Sequence, residues 1–281
     1  IVLYSSRMPS VTIIGVGRVG GALEIAFRGT EFQVVSLRGR ADPLDGVVSE
    51  IVIIATPDKE IANVAAGLTG NIESRTVVLH TSGSLSSGEL SILADSGNSV
   101  GSMHPLVSFS SAEIGAKRFS GAYFCVEGDA KAVDTAKAIV ELLGGHSFEI
   151  RSANKALYHA AAVTACGHVT ALIDMAFSMM ESAGVDAETS EKILEPLIRG
   201  TIDNIYEQGT AASLTGTFAR ADAGGLMRQL VSFKDRLADE EVEIYLNLAH
   251  RSLELARRQG VDVQRIADVD EVISVAKSKL Q

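Results

Sequence analysis

The glycine-rich turn Gly15-Val-Gly-Arg-Val-Gly20 constrains the fold of this chain more than any other stretch. An apolar run typical of a buried strand, residues 11–14, leads into it, and a helical pattern, residues 22–27, follows. In this context the first glycine permits a tight turn, the second lets the backbone approach a pyrophosphate, and the third lets the helix pack on its strand. The pattern predicts a dinucleotide site with phosphates at the helix N-terminus, against the alternative of a turn without a ligand. The residues predicted to contact the cofactor here are Gly15, Gly17, Arg18, Val19 and Gly20.

The end of the next strand-like run, residues 32–37, indicates which dinucleotide is bound. Sites for NAD place an acidic residue there for the ribose hydroxyls, whereas this chain has Ser36, Arg38 and Arg40. Guanidinium groups bind phosphate through charge-assisted, bidentate hydrogen bonds. We therefore expect NADP(H) rather than NAD(H), with the 2′-phosphate on these three residues. The alternative for Arg38 is a solvated loop charge.

Strand-like and helical patterns alternate through about residue 150, which predicts a doubly wound, mostly parallel sheet. Further strands are predicted within residues 50–58, 75–83, 99–103, 121–126 and 146–150. Ligands of such sheets bind at the carboxyl ends of the strands, at the switch point of the strand order. We therefore expect Ala55, Thr56 and Pro57 beneath the nicotinamide ribose, with Ser82 nearby.

The second half of the chain shows helical periods and no convincing strand. Helices are predicted at residues 154–183, 187–207, 219–237, 240–259 and 263–280. The sequence thus predicts an α/β chain: a Rossmann-type NADP-binding domain at residues 1–151, then an all-α domain for substrate binding and dimerisation at residues 152–281. The apolar positions of these helices are too numerous for one small bundle, so we expect a homodimer.

Composition narrows the possible partners and the compartment. The formal net charge of −10 argues against nucleic acid and anionic membranes, which select basic surfaces. Cys125 and Cys166 are the two cysteines, so we expect a reducing cytoplasm and no disulfide framework or metal site. Residues 1–10 are interpreted as a short leader, and no apolar run is expected to reach the roughly 18 residues of a membrane span.

Several ordered motifs carry a resemblance along nearly the whole chain. They are His80-Thr-Ser-Gly83, Gly101-Ser-Met-His-Pro-Leu106, Lys155-Ala-Leu-Tyr-His159 with the alanines that follow, Pro196-Leu-Ile-Arg-Gly-Thr201 and the run from Leu214 to Asp222. These resemble Rossmann-like proteins with the domain of unknown function 2520, in the superfamily of 6-phosphogluconate dehydrogenase-like and ketopantoate reductase-like proteins. The resemblance implies an oxidoreductase without naming its reaction.

Lys155 and His159 are candidate catalytic residues because their i, i+4 spacing puts them on one helix face. In the β-hydroxyacid dehydrogenases that this pattern resembles, the lysine acts as acid/base or polarises the carbonyl, and an asparagine stands four residues later. Here His159 occupies the asparagine position. The alternatives are a solvated lysine at a helix start and a core or interface histidine.

His104 is similar to the histidine of a His-Pro segment in prephenate dehydrogenases, where it and a serine after the preceding strand contact the reacting hydroxyl. Ser82 corresponds to that serine. The resemblance makes His104 a general base or carbonyl polariser. The alternative is a loop histidine that fixes the turn before Pro105.

Thr215 and Arg220 are candidate substrate-binding residues in the helical half, with Arg220 suited to a substrate carboxylate. The alternative reading has Thr215 or Thr217 capping a helix and Arg220 paired with Asp222.

Together these residues predict an NADP(H)-dependent oxidoreductase that transfers hydride to or from a small oxo or hydroxy acid, in a ketopantoate reductase-like or prephenate dehydrogenase-like reaction. An NADP-binding sensor or scaffold dimer is the alternative. The related family commonly shows Ser-Asn where this chain has Cys166-Gly167, and this departure supports the alternative.

Overall fold

The structure is a computed structural model that describes residues 8–280, so most of the predicted leader lies outside the described residues. The chain divides into two compact units after His168, and each is described by itself below. The first unit contains all the strands of the sheet and the first turns of the long helical region.

The first unit is built on one seven-stranded sheet with strand order β2-β1-β3-β4-β5-β6-β7. The strands are β1 (Ser10–Ile14), β2 (Gln33–Arg38), β3 (Ile51–Ile54), β4 (Val77–His80), β5 (Ser99–Pro105), β6 (Tyr123–Gly128) and β7 (His146–Glu149). The strand order reverses at β1, which lies between β2 and β3. The carboxyl ends of β1 and β3 therefore form the switch point at which such sheets bind ligands.

Helices cover both faces of this sheet. They are α1 (Arg18–Phe27), α2 (Asp58–Leu68), α3 (Ser91–Ala94), α4 (Ala112–Lys117) and α5 (Ala130–Leu142), and α6 (Lys155–Val163) follows β7. One core cluster joins one sheet face to α1 and α5, and a second joins the other face to α2 and α3. Side chains alternate between these layers because successive residues of a strand point to opposite faces.

The predicted fold class is confirmed: a mostly parallel α/β sheet is followed by a helical region. One pair departs from the parallel pattern, because β5 and β6 run antiparallel through Gly101 to Pro105. The connection from β5 to β6 contains only the short helix α4, and β6 turns back along β5.

The second unit is helical throughout its regular elements. Its helices are α7 (Val169–Ser182), α8 (Ala187–Gln208), α9 (Gly216–Ala219), α10 (Ala223–Phe233), α11 (Asp239–Arg258) and α12 (Val263–Lys277). Its core cluster is contributed mainly by α10, α11 and α12.

Two predicted helices are interrupted. The helix predicted at residues 154–183 contains a π-helical turn, Thr164–His168, between α6 and α7. The helix predicted at residues 219–237 is divided because Ala221 adopts a positive φ of 45° and the Asp222 carboxylate then caps α10 at the Gly225 N–H. A helix cannot continue through a left-handed residue.

One expectation about apolar runs was wrong. By length and composition alone, the helical stretch Ser152–Ser182 could cross a membrane, with a mean hydropathy of 1.5 over its apolar window and none of that window buried. A single such helix is weak evidence for a membrane protein. It does show a long apolar surface that the described part of the chain leaves uncovered.

Candidate functional site

The glycine turn has the geometry that its spacing predicted. Gly15 has a φ of 119°, and a Cβ there would lie 2.5 Å from the carbonyl oxygen of Ala55. A Cβ on Gly20 would lie 1.8 Å from the Gly15 carbonyl oxygen, so α1 packs directly on the turn. A Cβ on Gly17 would meet no atom within 4 Å. The first and third glycines are thus required by the protein's own packing, and the second leaves open space.

The surroundings of Gly17 fit the phosphates of a dinucleotide. Gly17 is the N-cap of α1, and no side chain caps the helix there, which leaves its first N–H groups for an anion. Thr56, at the carboxyl end of β3, has a buried hydroxyl with no hydrogen-bond partner among the described residues. Ala55 and Pro57 flank it, and Pro57 is the N-cap of α2. The contact of Ala55, Thr56 and Pro57 with the nicotinamide ribose stays a prediction.

The arginines of the predicted phosphate site already have protein partners. The Arg38 guanidinium donates hydrogen bonds to Ser36 Oγ and to the backbone carbonyls of Pro43, Asp45 and Gly46, so it holds the loop after β2. Arg40 pairs with Glu60 on α2.

Two further contacts were not foreseen in this region. The Asp42 carboxylate accepts the Gly39 N–H at 2.6 Å, which brings an acidic group to the end of β2. Arg18 donates to the carbonyl of Phe109 at 2.8 Å, and Val19 lies partly buried beside it on α1. This bond uses one of the five guanidinium N–H groups of Arg18, and its predicted phosphate contact stays a prediction.

Lys155 is buried, with 1% of its surface exposed, and it is not the solvated helix-start lysine of the alternative reading. Its ammonium donates to the carbonyl of Ser82 at 2.8 Å and makes a short hydrogen bond to the Ser102 hydroxyl. These bonds tie the start of α6 to the segment after β4 and to β5. The proximity predicted between Lys155 and Ser82 is confirmed.

His104 and His159 meet at Gly83. A Cβ on Gly83 would lie 2.4 Å from Nδ1 of His159 and 2.7 Å from Nε2 of His104, so only glycine permits this approach. The two rings are in edge contact, with centroids 5.7 Å apart. Nδ1 of His159 is buried and has no hydrogen-bond partner among the described residues. The structure thus brings Ser82, His104, Lys155 and His159 together around one turn.

Tyr158 is a site residue that the sequence reasoning missed. Its hydroxyl lies 2.7 Å from Nδ1 of His104. Its ring packs between those of His104 and Phe148. The signal was present, because Tyr158 follows Lys155 by three residues and shares its helix face.

Glu127 is a second residue that was missed. This buried carboxylate at the end of β6 accepts hydrogen bonds from the Ser87 N–H and from the hydroxyls of Ser87 and Ser152. It joins the segment after β4 to the residues just before α6. The Ser82 hydroxyl accepts from the N–H groups of Ser84 and Leu85, which fixes the same segment from within.

Burial sets the charge state of this cluster. The pKa values of His80 and His104 are lowered to about 4, chiefly by desolvation, and the nearby Lys155 ammonium lowers both further. Burial also lowers the pKa of Lys155 and raises the pKa values of Cys125 and Tyr158. The two histidines are therefore neutral at pH 7, and the thiol and the phenol keep their protons.

Thr215 and Arg220 belong to the second unit, at the ends of α9. Thr215 is the N-cap of α9 but makes no side-chain capping bond, and Asp222 pairs with Arg228 at 3.8 Å rather than with Arg220. The alternative roles, a capping side chain at Thr215 and an ion pair between Arg220 and Asp222, are therefore not observed. Their predicted contact with a substrate stays a prediction.

Fold and site together define a Rossmann-type α/β fold followed by a helical C-terminal region. Residues 122–252 match the domain of unknown function 2520, which is the domain that the motifs of this chain resemble. A comparison with curated protein sequences gave no match.

Solved structures share this fold. A candidate NADP oxidoreductase from Bacteroides fragilis is similar with a TM-score of 0.71 and 19% identity, over 88% of this chain and 98% of that one. A protein from Thermotoga maritima has a TM-score of 0.69 and 24% identity, over 89% and 99%. Pyrroline carboxylate reductase from Plasmodium falciparum, solved with NADP bound, has a TM-score of 0.58 and 13% identity, over 94% and 100%.

The neutral histidines predict a loss of stability in mildly acidic solution. In the unfolded chain His80 and His104 take up protons near pH 6.5, but in the folded chain only near pH 4. As the pH falls through this window the unfolded state binds more protons, so the free energy of unfolding decreases, by roughly 3 kcal/mol for each histidine.

Urea unfolding of His80→Gln and His104→Gln should show a weaker pH dependence than the wild type. His146→Gln, at an exposed strand position, is the matched control. An unchanged pH dependence in both buried variants would contradict this assignment.

Proposed function

We propose that this protein is an NADP(H)-dependent oxidoreductase that transfers hydride to or from a small oxo or hydroxy acid. The observation that carries the proposal is the set of polar groups around Gly83, within the same compact unit as the glycine turn. A dinucleotide site with no polar cluster would support binding alone. Ketopantoate reductase-like and prephenate dehydrogenase-like reactions are the nearest named classes.

The cofactor is held, in this proposal, by residues at the switch point. Gly15, Gly17 and Gly20 shape the turn, the first N–H groups of α1 bind the pyrophosphate, and Thr56 contacts the nicotinamide ribose. When bound, NADPH supplies the hydride from the nicotinamide C4. The chain's own groups bind and orient the substrate, and Thr215 and Arg220 are proposed to bind its carboxylate.

Lys155 and His159 need different roles from those that the resemblance implied. The ammonium of Lys155 is committed to Ser82 and Ser102, so we assign it to positioning. His104 and His159 each have a ring nitrogen without a protein partner among the described residues, so we assign them to the substrate.

The sensor or scaffold alternative has one structural point in its favour. Cys166 and Gly167, which replace the common Ser-Asn pair, lie in the exposed π-helical turn between α6 and α7. π-Helical turns occur often at functional sites, so a lost amide there bears on activity. Turnover decides between the two functions. A cytoplasmic location stays a prediction that rests on the cysteine content.

The first test concerns the cofactor. Calorimetry should show tighter binding of NADPH than of NADH, and Arg38→Ala should weaken NADPH binding roughly 10- to 100-fold more than NADH binding. The readout is the ratio of the NADPH affinity to the NADH affinity. Release of the loop that Arg38 holds would weaken the binding of both cofactors and leave this ratio unchanged. Arg28→Ala is the control, since that exposed side chain pairs with Glu24 and lies outside the predicted phosphate site. Tighter binding of NADH, abolished by Asp42→Asn, would assign the ribose hydroxyls to Asp42 and reject the NADP preference.

The second test concerns turnover. Matched pairs of 2-oxo acids with NADPH and 2-hydroxy acids with NADP should include at least one pair that changes the cofactor absorbance. Replacement of His104 or His159 by Gln should reduce kcat by roughly 100-fold or more, as is usual for a positioned proton-transfer or polarising group. His146→Gln should leave kcat unchanged. Tight NADPH binding with no turnover of any pair would favour the sensor alternative.

A homodimer is also proposed, and the helices α7 and α8 carry that argument. Among their residues only Ser190 is buried, although Leu197, Ile202 and Tyr206 are apolar or aromatic. Two packed helices of 14 and 22 residues present roughly 500 Å² on each face. If dimerisation covers both faces of the helix pair in each of the two copies, four such faces are buried. The total is about 2,000 Å², which is in the range of stable dimers.

We propose that a second copy of the chain, rather than a membrane, covers α7 and α8, because α8 is charged as well as apolar. Its ion pairs Glu188–Lys192 and Glu195–Arg199 can lie at the rim of a protein interface. A hydrocarbon layer would have to accept all four charges at a high cost.

Sedimentation at micromolar concentration should therefore show a dimer. Leu197→Glu together with Tyr206→Glu should shift it to a monomer, because these side chains are 64% and 87% exposed in one chain. Val263→Glu is the control, since it changes an equally exposed apolar residue on α12. A monomeric wild-type protein would contradict the proposal, and a monomer that floats with neutral vesicles would assign the surface to lipid.

A further inference from the structure

We propose that Tyr158 holds His104 as the neutral tautomer that carries its proton on Nε2. The substrate then offers a hydrogen-bond acceptor to His104. This acceptor is the oxygen of an oxo group, and not a hydroxyl group that acts as a donor. This inference rests on the proposed function where it concerns the substrate, and on the protein alone where it concerns the tautomer.

The first step is the direction of the hydrogen bond between Tyr158 and His104. The atoms Oη and Nδ1 are 2.7 Å apart, which is the usual separation for an O–H donor and shorter than the 2.9–3.0 Å typical of N–H donors. An unprotonated imidazole nitrogen is a good acceptor. The phenol therefore donates to Nδ1.

The second step is the acceptor available to the phenol. Nδ1 of His104 is the one hydrogen-bond partner of the Tyr158 hydroxyl among the described residues. If Nδ1 donated instead, the phenol O–H would be left without a strong acceptor there, because the nearby Cys125 sulfur is a weak one.

The third step is the state of Nε2. Because Nδ1 accepts, the neutral ring carries its hydrogen on Nε2. Nε2 has no protein partner among the described residues and faces Gly83, which has no side chain to cover it. In this proposal the substrate binds beside Gly83 and meets Nε2. A neutral imidazole that presents N–H polarises a carbonyl oxygen, whereas it cannot accept a proton from a hydroxyl at that nitrogen.

Tyr158 is thus a positioning residue, and its function is to select the tautomer of His104. The surroundings support a protonated phenol, because burial raises the pKa of Tyr158 and the pKa of the Cys125 thiol is also raised. Lys155, one helical turn earlier, adds positive charge that disfavours a second proton on His104.

The test is nuclear magnetic resonance of the full-length protein containing nitrogen-labelled histidine, without added ligand. The His104 signals are assigned by their loss in His104→Gln. In the wild type, Nδ1 should show the chemical shift of an unprotonated nitrogen and Nε2 that of an N–H, from about pH 6 to about pH 8. A protonated Nδ1 in the neutral ring would overturn the proposal.

Tyr158→Phe removes only the hydroxyl and keeps the ring contacts with His104 and Phe148. In this variant the two nitrogens should shift toward averaged values, because neither tautomer is selected. Tyr245→Phe, which removes a hydroxyl bonded to Gln229 in the second unit, is the matched control and should leave the His104 signals unchanged. An unchanged His104 tautomer in Tyr158→Phe, with the fold intact by amide spectra, would remove Tyr158 from this role.

The substrate part of the inference uses the paired acids of the turnover test. The oxo member of an active pair should have the lower KM, and Tyr158→Phe should lower kcat for reduction more than it raises KM. A lower KM for the hydroxy member would overturn the acceptor assignment and leave the oxidoreductase proposal intact. Absence of turnover would reject the proposed function, while the tautomer is still decided by the spectra.

Discussion

The hydrogen bonds of the Lys155 ammonium organise the candidate site. An ammonium that is almost completely buried loses most of its hydration, which costs several kcal/mol unless hydrogen bonds replace it. The Ser82 carbonyl and the Ser102 hydroxyl provide that replacement. Because these acceptors belong to the segment after β4 and to β5, the first turn of α6 is fixed against the carboxyl ends of two neighbouring strands. Tyr158 and His159 lie one turn later on the same helix face, so they come to His104 as a consequence.

Desolvation and the same cation explain why His80 and His104 are neutral. A second positive charge beside Lys155 would be unfavourable in a buried site, so His104 stays unprotonated and can serve only as a neutral donor or acceptor. Glu127 supplies the negative charge on the other side, where it accepts hydrogen bonds from Ser87 and Ser152 rather than contacting the histidines. The site thus separates its charges, which position the backbone, from its neutral imidazoles.

The sequence predicted the parts of this site that depend on local spacing. Gly15, Gly17 and Gly20 have the surroundings that the motif requires, and the i, i+4 rule placed Lys155 and His159 on one face. It could not predict contacts that depend on loop conformation. Arg38 was expected to offer a free guanidinium to phosphate, but carbonyl groups of the following loop already accept hydrogen bonds from it, so a phosphate would share it with them. Tyr158 was overlooked because a tyrosine among alanines is ordinary for a helix, and only the tertiary contact with His104 gives it a function.

The burial of Lys155 also separates this chain from the β-hydroxyacid dehydrogenases that its pattern resembles. There the lysine is implied to contact the reacting oxygen, and an asparagine four residues later assists it. Here the lysine is bonded to the protein, and the position of the asparagine is taken by a histidine with an unpartnered Nδ1. Two of the three N–H groups of this cation are used by Ser82 and Ser102, so we assign the lysine to positioning the helix. If this protein reduces a carbonyl, the polarising groups in this proposal are the imidazoles of His104 and His159, and the helix that carries His159 is held in place by Lys155.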